Sequence, residues 1–303
     1  MKKKHKILKY WPYYVMAFPC VAYLFINNYM PLVGLQLAFK DYRAVDGIWG
    51  SKFIGLKNFS YLFKSSEAWV ITRNTIGYNV LWIILNAILG IIVAICLNEV
   101  RSKTSKKIYQ TCILLPYLIS MVVVSYLAYA FLGEQTGLIN SILGKFGHES
   151  VNWYRESKYW PFILTIVNEW KSIGFQAIVY LASISTFSRD YYESAEIDGA
   201  SKFQQIFRIT IPMLAPTIVM LITVATGRIF NSDFGLFYQV PRNQGTLYAT
   251  TNTIDTFVYR ALLQTGDIGM SSAAAFYQSI VSFITIIAFN AVMRRMNREN
   301  ALF

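Results

Sequence analysis

Two long apolar runs of the chain are separated by the polar stretch Tyr191-Tyr-Glu-Ser-Ala-Glu-Ile-Asp-Gly-Ala-Ser-Lys-Phe-Gln-Gln-Ile-Phe-Arg-Ile-Thr-Ile-Pro212. Its apolar residues recur at helical spacing, which predicts helices rather than an irregular loop. Gly199 would cost about 1 kcal/mol inside a continuous helix, so we expect a bend there or the close approach of another backbone. Pro212 disfavours a helix that runs unbroken into the next apolar run. The stretch therefore predicts two short helices joined at a glycine, outside the apolar runs.

The composition is that of a membrane protein. Of the 303 residues, 55% are hydrophobic and 15% are charged, whereas soluble domains carry about 25% charged residues. Several apolar runs of about 20 residues predict membrane spans. The net charge of +12 does not indicate a nucleic-acid groove, because most basic residues flank the apolar runs. We expect contacts with membrane lipid and none with nucleic acid.

Six spans are predicted, which makes the chain an all-α, polytopic membrane protein with one transmembrane domain over residues 1–303. The basic N-terminus resembles a signal peptide, but its apolar run is too long and lacks a clear cleavage site, so we expect an uncleaved first span. The predicted spans are Trp11–Leu35, Tyr78–Val100, Cys112–Leu132, Tyr159–Ser185, Met213–Phe230 and Ser271–Val292.

Positive charge predicts the orientation. Segments on the same side as the termini hold 15 Lys and Arg in 59 residues, against 11 in 108 residues on the opposite side. By the positive-inside rule, both termini and residues 186–212 are cytoplasmic. The chain has no phosphate-binding loop of the Walker A type, so ATP could drive it only through a partner protein.

Few residues suit catalysis or metal binding. Cys20, Cys96 and Cys112 lie in or beside apolar runs without metal-ligand spacing, and His5 and His148 lie outside the spans. Paired acids and a nucleophile motif are also missing from the sequence. We therefore predict neither an enzyme nor a metal site.

The polar stretch also carries a resemblance. Glu193-Ser-Ala195, Gly199 and Ile209-x-Ile-Pro212 resemble the EAA loop of the transmembrane subunits of binding-protein-dependent ABC importers. The spacing matches throughout, with Ser194 in place of Ala and Ile211 in place of Leu. Residues 192–201 are similar to the sugar-permease version of this loop. Other segments resemble the oligosaccharide and polysaccharide permease branch, in order: Gly55-Leu-Lys-Asn-Phe, Arg73-Asn-Thr, Leu97-Asn-Glu, Leu115-Pro, Gly137-Leu-Ile-Asn, and Gly174 followed by Ile178-Val-Tyr-Leu-Ala.

The resemblance implies an ABC importer type I permease-like fold in a bacterial plasma (inner) membrane. It implies a second, homologous permease subunit as heterodimer partner, a cytoplasmic ABC ATPase dimer that binds ATP and Mg²⁺, and an extracellular solute-binding protein. This chain itself would bind no cofactor. Residues 186–212 would form the cytoplasmic coupling loop that the ATPase holds. The loop residues that the resemblance assigns to this coupling are Glu193, Ala195, Asp198, Gly199, Phe203, Ile206, Phe207, Ile209 and Pro212.

The resemblance also suggests a role for individual loop residues. Glu193 would offer its carboxylate to a basic residue of the ATPase, and the alternative is a merely solvated charge. The apolar stripe of Phe203, Ile206 and Phe207 would fill a groove of the partner or brace the loop against the spans.

Polar residues inside apolar runs are candidates for the substrate path, because a charge at mid-span costs about 2.5–3.5 kcal/mol. Each has a structural alternative, such as a hydrogen bond between helices, an interface anchor or, for Lys171, an ion pair. Asn79 and Asn86 are predicted to share a helix face, as are Asn168 and Lys171, while Glu169 points elsewhere. The candidates are Asn79, Asn86, Asn168, Glu169, Trp170, Lys171, Arg228, Asp233, Tyr277 and Gln278.

Carbohydrates, and oligosaccharides in particular, are the substrate class that the resemblance favours. An ABC permease for amino acids or polyamines is the alternative. A secondary transporter is less favoured, because the sequence has no clear internal repeat and Glu169 is its only acid in mid-run.

Overall fold

The structure is a computed structural model that describes residues 10–296. The described residues are almost entirely helical and include one two-stranded sheet. They form two compact units: residues up to 65 with 258–277, and residues 66–257 with those from 278 onward. Outside the described residues lie the basic residues Lys2, Lys3, Lys4, Lys6 and Arg298. The single transmembrane domain over residues 1–303 remains a prediction.

The smaller unit begins with an apolar helix. Helix α1 (Trp11–Leu24) continues through a π-type segment, Phe25–Tyr29, and a 3-10 segment, Met30–Phe39. A short antiparallel hairpin of β1 (Lys40–Asp41) and β2 (Lys52–Phe53) follows, with the short helix α2 (Gly47–Gly50) between the strands, and then helix α3 (Lys57–Lys64). Asn58 at the start of α3 is buried and donates to the carbonyls of Ala38 (3.0 Å) and Lys40 (3.1 Å).

The larger unit contains the long helices that surround the candidate site. One apolar core cluster includes Trp82, Trp160 and Phe237, and a second includes Tyr180 and Leu214. In chain order the helices are α4 (Ser66–Glu99), α5 (Lys103–Leu118), α6 (Met121–Leu132), α7 (Leu138–Lys145), α8 (Trp160–Ile184), α9 (Asp190–Ile197), α10 (Lys202–Gln205), α11 (Ile211–Thr226), α12 (Phe234–Gln239) and α13 (Tyr248–Thr251); α14 (Ile254–Leu263) and α15 (Ile268–Met296) contribute to both units.

Within residues 10–296, four helical stretches are long and apolar enough to cross a membrane, and α5 with α6 would make a fifth. The 25 residues of α8 extend about 37 Å at 1.5 Å per residue. This helix carries charges in its middle, and it is not among the stretches that are both long and apolar enough. The number of six spans therefore remains a prediction. The four stretches are Trp11–Phe39, Ser66–Glu99, Lys202–Thr226 and Ile268–Arg295.

The predicted span Cys112–Leu132 contains a break between two helices. Helices α5 and α6 are separate and meet at an angle of 95°. Pro116 lacks an N–H group, which weakens the helix just before the break. Ser120 has an extended backbone and caps α6 by accepting from Val123 N (3.4 Å), so a new helix begins there instead of the old one continuing.

The prediction that Pro212 interrupts the helix is wrong, because one helical stretch extends over Lys202–Thr226. A π-type segment, Ile206–Thr210, lies immediately before the proline, and Ile211 N donates to Ile206 O. This wider turn gives room for the proline ring, which would clash with a carbonyl in a regular helix. Pro212 then occupies the first turn of α11, where its missing N–H matters least.

Candidate functional site

Residues 190–212 fold as the sequence predicted up to the π segment: two short helices joined at a glycine. Gly199 has φ +79°, in the left-handed region, and it separates α9 from α10. Ser201 begins α10 with a capping box, in which its hydroxyl accepts from Gln204 N (3.4 Å) and Gln204 Oε1 accepts from Ser201 N (2.7 Å). Local sequence alone therefore specifies the sharp turn.

Polar side chains connect different parts of this segment with one another. Gln205 is 3% exposed and donates to Ala200 O (3.3 Å), and the hydroxyls of Tyr192 and Thr210 lie 3.0 Å apart. Phe203 and Phe207 are 75% and 65% exposed. Most of the surface of these two rings is therefore available to lipid or to another protein, and the role of the stripe stays a prediction.

Several residues carried over from the EAA loop converge on one surface. A hollow of about 330 Å³ is lined by Ala195, Asp198, Gly199 and Ile209, together with neighbours in α10. The carboxylates of Glu193 and Asp198 have no hydrogen-bond or ion-pair partner among residues 10–296. The nearby Glu196 instead accepts from Lys202 Nζ (2.6 Å), and this hydrogen bond lowers the pKa of Glu196.

A second feature is a cavity of about 540 Å³ between α4, α8 and α11, closed at one end by residues 228–233. Its size is typical of small-molecule pockets, which range over about 300–1,000 Å³. Five predicted substrate-path residues line it: Asn79, Asn86, Asn168, Arg228 and Asp233. Asn79 and Asn86 do share a face of α4, as their spacing of seven predicted.

Sequence reasoning missed other lining residues. Trp82 lies between the two lining asparagines of α4, three residues after Asn79, and Gln176 lies eight residues after Asn168 on α8. Residues at either spacing lie on the same helix face, so helical spacing from Asn79 and Asn168 could have predicted Trp82 and Gln176 as lining residues. Asn231 and Ser232 lie in an irregular turn, where spacing gives no such signal.

Lys171 does not join Asn168 at the cavity, so the prediction that they share a face is wrong. Its ammonium donates to the carbonyls of Pro116 (3.2 Å) and Ile119 at the break between α5 and α6. Pro116 O also accepts from Ile119 N (3.2 Å), and Lys171 supplies a second donor to it as well as a donor to Ile119 O, at the end of the broken helix. This contact is the structural alternative that the sequence left open.

Glu169 does not point away from Asn168 as expected. It is 8% exposed, and its Oε1 accepts from Asn168 (3.2 Å) and Asn86 (3.4 Å). Asn86 in turn accepts from Ser172 Oγ (2.7 Å), so a polar network connects α4 with α8 beside the cavity. Glu169 is not part of the cavity wall.

Three further candidates lie away from the cavity. Trp170 is 43% exposed and does not line it. Tyr277 belongs to the smaller unit, where its ring contacts that of Phe63 at 5.3 Å. Gln278 is buried and donates to Phe230 O (2.7 Å) and Asp255 Oδ1 (3.1 Å), which fixes the end of the cavity from behind.

Comparisons with known proteins agree with this geometry. Residues 86–298 match the family described as binding-protein-dependent transport system inner membrane component. The chain belongs to this family. The polygalacturonan/rhamnogalacturonan transport system permease protein YteP of Bacillus subtilis (strain 168) is 31% identical over 94% of this chain and 88% of its own length.

Solved structures of ABC transporters are similar to this chain over nearly its whole length. A crystal structure of a bacterial ABC transporter involved in the import of the acidic polysaccharide alginate has a TM-score of 0.89 and 32% identity, covering 98% of this chain and 100% of that chain. Another, of a bacterial alginate ABC transporter in complex with alginate pentasaccharide-bound periplasmic protein, has a TM-score of 0.87 and 33% identity over 96% and 97% of the two chains.

Family membership decides several predictions. The all-α, ABC importer type I permease fold is confirmed, as is the location in the inner membrane. The permease is a transport component rather than an enzyme, and the alternative of a secondary transporter is wrong. The roles of individual site residues remain predictions.

Proposed function

We propose that this permease is the transmembrane subunit of an ATP-driven importer for carbohydrates, with oligosaccharides as its substrates. The names of its relatives support this class, since YteP is a polygalacturonan/rhamnogalacturonan permease and the similar solved transporters import alginate. Amide side chains beside the apolar wall of Trp82 suit sugar hydroxyls and ring faces.

The observation that carries the proposal is the connection between the coupling segment and the cavity. Helix α8 leads directly into residues 186–212, and α11 leads directly out of them. The same two helices supply opposite parts of the cavity wall, through Asn168 and Gln176 on α8 and Leu221 and Ala225 on α11. A force applied to the coupling segment would therefore act on both walls.

The partners belong to the same proposal. A cytoplasmic ABC ATPase dimer, with its own ATP and Mg²⁺, would hold residues 186–212, and an extracellular binding protein would deliver the saccharide. A second permease subunit would complete the transmembrane part. In this arrangement ATP binding draws the coupling segments together and opens the cavity outward, and hydrolysis resets it. This chain supplies no catalytic group.

The experiment is reconstitution. The permease is affinity-purified from its native membrane, and co-purification of an ATPase and a second permease is expected. The complex in proteoliposomes, with its binding protein, is then tested for ATP-dependent uptake of labelled oligosaccharides, with amino acids and polyamines as parallel probes. Accumulation of an oligosaccharide alone supports the proposal. Purification without an ATPase, or uptake confined to amino acids or polyamines, contradicts it.

A further inference from the structure

One end of the cavity is a short turn that carries a single cationic side chain. Residues 227–233 connect α11 with α12, and backbone hydrogen bonds from Arg228 N to Ala225 O (3.0 Å) and from Asn231 N to Arg228 O (2.9 Å) keep the turn tight. Arg228 and Asp233 both face the cavity. The position of Arg228 therefore depends on how firmly this turn is held.

Polar side chains hold the turn from three directions. Asn79 of α4 donates to the carbonyls of Ile229 (2.9 Å) and Asn231 (2.9 Å). Asp255 accepts from the backbone N–H (2.6 Å) and the hydroxyl (2.8 Å) of Ser232. The amide of Gln278, described above, donates to Phe230 O and to Asp255, which completes the support.

This amount of support is more than a simple connection requires. Residues that hold a binding group in place through their own hydrogen bonds are typical of preorganised sites. Asn79 and Gln278 were candidates for direct substrate contact, and they instead position the turn that carries Arg228.

The guanidinium of Arg228 has no hydrogen-bond or ion-pair partner among residues 10–296. Asp233 lines the same cavity, but its Oδ1 accepts from Leu236 N (3.0 Å) and so caps α12. Gln176 and Asn231 also line the cavity, and their side-chain amides have no partner among the described residues. Three unengaged polar side chains therefore converge on one space.

Arg228 is exposed and lines the cavity, and an arginine without a partner in a prearranged position near the end of a span is a functional candidate. Its planar, five-donor fork matches a carboxylate in a two-point contact. The amides of Gln176 and Asn231 can both donate to and accept from sugar hydroxyls. Trp82 donates its indole N–H to Thr165 Oγ1 (3.1 Å), so its contribution to the cavity wall is apolar.

We propose that the cavity selects saccharides that carry a carboxylate, and that Arg228 is the residue that binds this group. The proposal rests on the proposed function as a carbohydrate permease and names the chemical class of its substrate. Gln176, Asn231 and the second oxygen of Asp233 bind hydroxyls around the same sugar unit. A neutral oligosaccharide leaves the guanidinium without its counter-charge.

The test is equilibrium binding to the purified permease complex in nanodiscs without the external binding protein, whose own specificity would interfere. The probes are tri-galacturonate and the same trisaccharide with its carboxylates reduced to alcohols. Wild type is compared with Arg228→Gln, Arg228→Lys and the control Arg43→Gln, which removes an exposed arginine of the smaller unit.

Wild type is expected to bind the charged trisaccharide about tenfold or more tightly than the reduced one, the usual scale for a charged hydrogen bond. Arg228→Gln should lose about that factor for the charged probe alone, Arg228→Lys should recover part of it, and Arg43→Gln should match wild type. Equal loss for both probes in Arg228→Gln overturns the proposal. If that variant does not fold, the two probes on wild type decide, and equal or tighter binding of the reduced probe overturns it.

The two proposals fail differently. Binding and ATP-dependent uptake of neutral oligosaccharides, without preference for the charged probe, overturn only the role of Arg228 and leave the carbohydrate importer intact. Failure of every oligosaccharide in both assays contradicts the importer itself, and with it the carboxylate class.

Discussion

At Gly199 a single backbone angle decides the shape of the coupling segment. A β-carbon added there would meet no atom within 4 Å, so crowding does not explain the glycine. The left-handed φ of +79° does, because such a conformation costs residues other than glycine about 1–2 kcal/mol, and asparagine less than most.

Gly199→Val is therefore expected to weaken the turn and reduce ATP-dependent uptake severalfold, whereas Gly199→Asn should retain most of it. Uptake by proteoliposomes, at matched amounts of inserted permease, measures the effect. Equal activity of the two variants would show that the conformation of Gly199 does not matter for coupling.

Lys171 is a charged side chain that binds backbone carbonyls at the break between α5 and α6. Its ammonium satisfies the carbonyls of Pro116 and Ile119 at the 95° break. Lys171→Met should lower the stability of the detergent-solubilised permease by about 1–3 kcal/mol, because two part-buried carbonyls lose a charged donor. The thermal unfolding midpoint is the measurement.

The matched control is Lys158→Met, which removes an exposed ion pair with Glu156 (3.3 Å) and should change the midpoint little. An equal shift for both variants contradicts the capping role of Lys171.

Sequence could predict that Lys171 and Glu169 are costly in a membrane, but it could not predict their partners. The partners of Lys171 are backbone carbonyls at a break 52 and 55 residues earlier in the chain, and nothing in the spacing of α8 identifies them. Asn79 is a similar case, since its acceptors lie in a turn about 150 residues later.

Helices α5 and α8 approach each other closely at Gly174. A β-carbon at this position would lie 2.1 Å from the carbonyl oxygen of Ile113, closer than any packing allows. Gly174→Ala should therefore separate the two helices and destabilise the permease by about 1–3 kcal/mol, although alanine is the better helix former.

Gly144→Ala in α7 is the control for this prediction. No atom lies within 4 Å of its added β-carbon, so thermal unfolding should occur at the same temperature or slightly above that of wild type. Unchanged stability of Gly174→Ala would mean that α5 and α8 can move apart freely.

Element boundaries depend on such contacts more than on local sequence. The capping box at Ser201 and the turn at Gly199 could be predicted, because both follow from residues a few positions apart. The break at Ser120 and the continuity through Pro212 could not, since each depends on a helical irregularity that propensity does not specify.

At the scale of the larger unit, the coupling segment and the cavity share helices α8 and α11. An apolar cluster that includes Tyr180, Ile184 and Leu214 packs these helices together near the coupling segment. This packing is the route by which we expect movement of the segment to reach the cavity. The apolar runs predicted an all-α membrane protein, but the cavity combines three separate regions of the chain, which only tertiary structure defines.

Glu193 is the residue for which we predict the ATPase contact, and its exposed carboxylate has no hydrogen-bond or ion-pair partner in the described part of the chain. Glu193→Lys reverses the charge at the proposed ATPase contact without removing any contact within residues 10–296, so the permease should insert normally. Glu67→Lys makes the same charge change in the first turn of α4, far along the sequence from the coupling segment.

The decisive measurement is ATP-dependent oligosaccharide uptake by proteoliposomes that contain wild type, Glu193→Lys or Glu67→Lys in complex with the partner subunits. We expect Glu193→Lys to lose about tenfold or more of the uptake, since mismatched charges at interfaces cost several kcal/mol. Saccharide binding to the cavity should stay at the wild-type level, and Glu67→Lys should transport normally. Full uptake by Glu193→Lys, with normal affinity for the ATPase, would contradict the account.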